Sequence, residues 1–197
     1  VLAAVDAALD GAPGARAGSL SSGLHHARAG EGAGFCTING LAVGAIHAHN
    51  RLASDPDADG RRVLILDTDA HCGGGTYSII EGRDGIDQTD LSVSAFDCYH
   101  GASEVETLDP HGSLAPGTLA PRGHHAAMLT DADRYLQVLE ALLEARDPAD
   151  YGVVLYNAGM DPFEGCDIGG LWGVTFEMLA EREQMVFDWC RRNDLPV

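Results

Sequence analysis

Val63-Leu64-Ile65-Leu66 is an unbroken apolar run closed by Asp67, and Tyr151 to Tyr156 repeats the pattern ahead of Asn157-Ala158-Gly159-Met160-Asp161. Short apolar runs bounded by turn-forming residues predict strands buried on both faces, as in a parallel sheet. Asp90 to Phe96 alternates and predicts a third strand. The other elements follow a helical period. Residues 1–9 are Ala-rich and helix-forming, and Gly11 to Gly23 is small and loop-like. Asn39 is placed to cap a helix reaching about Leu52, with Leu41, Ala45 and Ile46 on its buried face. Thr76 to Glu81 predicts a short helix, and Phe176 to Arg191 the last one. Asp131 to Arg146 carries Tyr135, Leu136, Leu139, Leu142 and Leu143 at helical spacing. Asp97 to Gly123, with three prolines and four glycines, predicts a long loop of the kind that often carries function. Strand and helix in alternation predict an α/β layered fold with a parallel sheet, and 197 residues suit one domain.

The chemistry gathers where the apolar runs end. Strand geometry puts residues i, i+2 and i+4 on one face, so Asp67, Asp69 and His71 point the same way past the first strand. Ligands of open parallel sheets bind beyond the carboxyl ends of the strands. Asp161 follows the second strand at the same edge, and if the two strands are close, Asp69, His71 and Asp161 converge. Two carboxylates and one imidazole offset the charge of a dication and leave coordination open for water, as catalytic zinc requires. A plainer reading also exists, in which the aspartates cap turns and His71 is a surface histidine. His25-His26 supplies a candidate base and acid beside the metal, with Asp67 free to orient one of them. The chain holds a second pair, His124-His125, which precedes a helical stretch and reads as a structural or surface feature.

Charge narrows the partners. The formal net charge is −18, and all twelve basic residues are arginine. Such acidity argues against nucleic acid and against an anionic membrane face, and weakly favours cationic substrates. No apolar run approaches the length of a membrane span. Five scattered cysteines without a CxxC pair fit a reducing, cytoplasmic compartment. A start at Val1 and an end straight after a helical stretch suggest a piece of a longer chain.

Gly-x-His-His-Ala from Gly23, Gly-Phe-Cys-x-x-Asn from Gly34, Asp-x-Asp-x-His-x-Gly-x-Gly-Thr from Asp67 and Ala-Gly-x-Asp ending at Asp161 occur in this order. Together they resemble the histone deacetylase superfamily, which includes acetylpolyamine amidohydrolases and acetoin-utilisation proteins. The resemblance implies a three-layer arginase/deacetylase-like α/β fold with a mostly parallel sheet, incomplete at both ends of residues 1–197. It implies Zn2+ at Asp69, His71 and Asp161, although such donors also suit Fe2+, Mn2+ or Co2+. It makes His25 and His26 the catalytic pair, Asp67 the partner of His25, and Gly34 and Phe35 the lining of a narrow acyl channel. Asp67, Asp69, the His71 carbonyl and Ser94 would form a structural K+ site. The implied reaction is amide hydrolysis of an acetyl-lysine or small acylated substrate such as an acetylpolyamine. Absent lysine and abundant Ala, Gly, Asp and Arg suggest a prokaryotic source. The oligomeric state is open.

The chain departs from that pattern in several places. Cys72 stands where the family has a second histidine, and a thiol there would be inert, packed or oxidation-sensitive. Gly74 replaces a second orienting aspartate, which leaves His26 without its usual partner. Asp167 lies one residue later than the family's acidic position. The family's Gly-Gly-Tyr motif, whose tyrosine donates to the carbonyl oxygen, has no counterpart before Val197. These differences keep two further readings open: a catalytically impaired protein of the same fold that binds metal or acyl ligands, and an arginase-like ureohydrolase.

Overall fold

The computed structural model describes residues 1–21, 24–99 and 119–197, together with the backbone of Val105–Leu108. Five strands form one sheet: β1 Arg62–Asp67, β2 Ile86–Ser92, β3 Val105–Leu108, β4 His124–Met128 and β5 Tyr151–Asn157. Their order is β3-β4-β2-β1-β5, and every neighbouring pair is parallel. The helices are α1 Leu2–Leu9, α2 Gly40–Ser54, α3 Gly74–Ile80, α4 Tyr135–Glu144 and α5 Phe176–Arg192.

Alternation along β1 divides the core into two layers. Val63 and Ile65 pack with Val153 and Leu155 of β5 against Val5 of α1, Leu41, Ala45 and Ala48 of α2, and Ile80 of α3. Leu64 and Leu66 face the other way, with Val154, onto Leu139 and Leu142 of α4 and Leu179 and Val186 of α5. Helices on both faces of a parallel sheet give the expected three layers. Among the described residues, no helix is long and apolar enough to cross a membrane.

The sheet differs from the expected one in three places. The middle strand is Ile86–Ser92 rather than Asp90–Phe96. All seven of its residues are buried, four of them the polar run Asp87-Gln88-Thr89-Asp90, so apolar patterning misses it. Each polar side chain makes at least one hydrogen bond, while Gln88 Oε1 is buried without one among the described residues. Asp87 accepts from Arg62 at 3.0 and 2.6 Å and from the Tyr151 hydroxyl at 2.8 Å. Thr89 Oγ1 accepts from Arg146 at 2.6 Å, Gln88 donates to the Gly73 carbonyl at 3.1 Å, and Asp90 accepts from the Gly73 amide at 2.7 Å. The predicted loop Asp97–Gly123 contains strand β3, and its residues 100–104 and 109–118 lie outside the described residues. Residues 22 and 23 of the first predicted loop lie outside them as well. Of the structural and surface readings of His124-His125 the structural one holds, but the pair is the buried start of strand β4 rather than a prelude to a helix. Burial first, and then the nearby Arg146 charge, push His125 down to about 3, so it is a neutral core histidine.

The helix predicted from Asn39 is α2, and its cap has a second task. Asn39 Oδ1 accepts from the Ala42 amide at 2.8 Å, which is the capping bond. Its Nδ2 donates to the Ala27 carbonyl at 2.9 Å and to the His25 carbonyl at 3.3 Å. One buried side chain thus fastens the helix start to the loop carrying the histidine pair. Asn39→Ala is expected to lower unfolding stability by about 2 kcal/mol, from the lost cap and the buried carbonyls left unpaired. Urea denaturation checks this, and a loss below about 0.5 kcal/mol would contradict it.

Candidate active site

Strands β1 and β5 are hydrogen-bonded neighbours, with Asp67 opposite Asn157, so the segments leaving their carboxyl ends run side by side. Asp69 and His71 lie on the first segment and Asp161 on the second. His71 Nδ1 is 3.2 Å from Asp69 Oδ1 and 3.1 Å from Asp161 Oδ2. One donor atom from each of the three lies within 4.8 Å of the others. Burial, and then the charge of Asp69, push the Asp161 carboxyl above the usual range. Two half-buried carboxylates held this close to an imidazole fit a dication as donor set and as charge.

Backbone amides set these ligand directions. Ala70 N–H donates to Asp161 Oδ1 at 2.9 Å, and His71 N–H donates to Asp69 Oδ1 at 2.9 Å. Arg182 of α5 lies beneath both segments, fully buried. Its Nη1 donates to the Gly159 carbonyl at 2.7 Å, to the Thr68 carbonyl at 3.1 Å and to the Tyr135 hydroxyl at 3.3 Å. Burial alone would favour neutral Arg182, but Tyr156, Tyr135 and Glu183 hold it charged. The signal for Arg182 was in the sequence. It is the one charged residue in the apolar stripe of Leu179, Val186 and Cys190 on α5.

The histidine pair stands beside this group. His25 and His26 are both buried, with ring centroids 4.0 Å apart, and His26 is 5.7 Å from His71. His25 Nδ1 is 2.8 Å from Asp67 Oδ2, the residue that the family resemblance pairs with it. Asp67 is held in turn by Asn157 Nδ2 and by the Asp69 amide, at 2.9 and 3.1 Å on Oδ1. Burial opposes charging His25, but Asp67, with Asp69 and Asp90 behind it, pushes it up to about 10. Deeper still, burial and the Asp67 charge push the Asp90 carboxyl up to about 7. His25 Nε2 is 3.4 Å from Asp69 Oδ1, so His25, His26 and Asp69 form a second group with metal-ligand spacing.

His26 does not lack a carboxylate. Its Nδ1 is 2.9 Å from Oδ2 of Asp97, a residue the sequence reading placed in the long loop and gave no role. Gly34 has φ +50°, and a Cβ there would lie 2.2 Å from the His26 ring, so glycine lets the ring sit where it does. Phe35 is 92 % exposed at φ 63° and makes no close wall by itself. The ring beside the site is Phe96, edge-on to His26 at 4.9 Å and to His71 at 5.8 Å. Ser94 pairs with His71 through an isolated parallel bridge beside the expected cation position. Cys72 is packed inward, with Sγ 3.1 Å from Ser92 Oγ. Burial, and then the Asp90 charge, push its thiol upward, which disfavours the nucleophilic thiolate. Asp167 is exposed.

Comparison with known proteins agrees with this architecture. The Histone deacetylase domain family matches residues 1–197. An uncharacterized protein of Picosynechococcus sp. is 31% identical over 183 residues, covering 91% of this chain and 52% of that protein. Acetylpolyamine amidohydrolase of Burkholderia pseudomallei is 37% identical over 126 residues, covering 57% of the chain and 34% of the relative. The crystal structure of acetylpolyamine aminohydrolase from Burkholderia pseudomallei superposes with a TM-score of 0.71 at 22% identity, covering 99% of this chain and 52% of that one. The chain therefore spans about half the length of these relatives. With a family match over its whole length, and with the deacetylase fold, the chain belongs to the histone deacetylase domain family.

Proposed function

We propose that the protein is a zinc-dependent deacetylase that hydrolyses the N-acyl amide of an acetyl-lysine or acetylpolyamine substrate. The observation that carries this reading is the convergence of Asp69, His71 and Asp161 beside two buried, carboxylate-bound histidines. Asp69, His71 and Asp161 would hold the metal, which supplies Lewis acidity to the acyl carbonyl and to the attacking water.

The chain's own residues handle the protons. Asp67 and Asp97 accept at Nδ1 of His25 and His26, which leaves each Nε2 for chemistry. One of the pair takes a proton from the attacking water, and one delivers a proton to the leaving amine. Phe96 shields the rings from bulk water on one side. The acidic chain, with its net charge of −18, favours a cationic amine product and substrate by long-range attraction.

The impaired-protein reading rests on the altered Gly74 and Cys72 and on the missing Gly-Gly-Tyr motif, and the carboxylate of Asp97 at His26 speaks against the first of these grounds. The ureohydrolase reading calls for a carboxylate-rich two-metal cluster. Among the described residues, the second candidate group has one carboxylate, Asp69, which it shares with the first.

With zinc supplied to the full-length protein, acetate is expected from acetyl-lysine peptide or acetylpolyamine and no urea from guanidino substrates. Asp161→Ala should abolish this release. Activity surviving the substitution, or urea as the product, would contradict the proposal. Arg182→Met leaves all three candidate ligands in place but loosens the segments carrying them. Zinc affinity, read by competition with a chromophoric chelator, should fall about ten- to a hundredfold. An unchanged affinity would show that Arg182 does not set the ligand geometry.

A further inference from the structure

We propose that Asp97 is the positioning residue of His26, taking over from the loop after β2 the task that residue 74 cannot perform as glycine. The proposal rests on the deacetylase reading for its kinetic consequence, but its geometric content stands apart from it.

Four observations support the assignment. Asp97 Oδ2 meets His26 Nδ1 at 2.9 Å and accepts from the Gly75 amide at 2.9 Å, so the carboxylate is fixed from two sides. Its other oxygen accepts from Arg28 Nη2, while Arg28 Nη1 donates to the His26 carbonyl at 3.3 Å. Arg28 therefore grips both the carboxylate and the backbone of the histidine that it orients. Burial would raise the Asp97 carboxyl, but His26, Arg28 and the Gly75 amide hold it below the usual range. An ionised carboxylate can only accept, so Nδ1 of His26 is the donor to it.

The loop is built to deliver this group. Val93 and Ser94 amides donate to the Ala70 carbonyl at 2.9 and 2.8 Å, and Cys72 N–H donates to the Phe96 carbonyl at 3.2 Å. The segment after β2 is thereby laid across the turn that follows the metal-site residues. Asp97 itself has φ +55°, a left-handed conformation that aspartate tolerates at some cost. Gly74 is the complement of that arrangement. A Cβ at position 74 would lie 2.2 Å from the Asp97 carbonyl oxygen and 2.7 Å from Asp97 Oδ1. A side chain at 74 and the carboxylate of Asp97 exclude each other, so the two sites exchange one function. The sequence shows only the missing half of this exchange.

A residue that merely caps the start of α3 would affect folding alone, so the test reads the imidazole as well. A buried Nδ1–H bonded to a carboxylate gives a slowly exchanging proton signal far downfield, assignable through its nitrogen. The full-length protein should show one such signal for His25 and one for His26. Asp97→Asn keeps the shape and a capping oxygen but removes the charge. It should move the His26 signal upfield, as a neutral acceptor weakens the bond, and leave that of His25 in place. With zinc and acetyl-lysine peptide, kcat should fall at least about tenfold with KM little changed. Gly74→Ala, which displaces Asp97, should reproduce both effects. A kcat for Asp97→Asn within about twofold of the parent overturns the assignment. If the parent releases no acetate, the deacetylase reading fails, and the His26 signal alone decides Asp97: an unmoved signal in Asp97→Asn overturns the proposal, and its shift or loss supports it.

Discussion

Two carboxylates brought to within 4.8 Å of one another repel, by about 3 kcal/mol at the effective dielectric of a partly buried site. Asp69 and Asp161 are in that position, and much of the surrounding structure holds them there against the repulsion. Adjacent parallel strands supply the nearness. The Ala70 and His71 amides and the His71 ring supply compensating donors. Arg182 adds a buried positive charge below and ties Thr68 and Gly159, the residues next to the ligand-bearing turns, to one guanidinium. A dication would offset the charge of the two carboxylates.

The same economy orders the histidines. Each ring is pinned at Nδ1 by a carboxylate that is itself bound to a third group. For His25 the carboxylate is Asp67, steadied by Asn157 and the Asp69 amide. For His26 it is Asp97, steadied by Arg28 and the Gly75 amide. The two dyads differ in origin, one from the end of β1 and one from the segment after β2. One ring nitrogen of each histidine lies within 4.8 Å of the other's and of an Asp69 oxygen.

The elements legible in the sequence are those in which burial and polarity coincide. β1, β5, α2, α4 and α5 have apolar runs or stripes, and their limits fall within a few residues of the expected ones. The candidate ligands were legible because a period of two carries Asp67, Asp69 and His71 past a strand end. β2 was displaced because both of its buried faces carry polar residues, Asp87, Gln88, Thr89 and Asp90, whose partners lie as far off in sequence as Arg146 and Tyr151. β4 was hidden by a buried histidine pair that local pattern cannot tell from a loop. Asp97 was invisible for a related reason. Its role depends on an approach between positions 97, 26 and 74, and no local spacing reports such an approach.

The central claim is that one imidazole and two carboxylates, rather than the His25-His26 pair or the neighbouring thiol, hold the metal. X-ray absorption at the zinc edge of the zinc-loaded protein tests it directly. The account predicts a first shell of oxygen and nitrogen only, at about 2.0–2.2 Å, with the scattering of a single imidazole. A sulfur shell near about 2.3 Å, which would implicate Cys72, or the scattering of two or more imidazoles would contradict it.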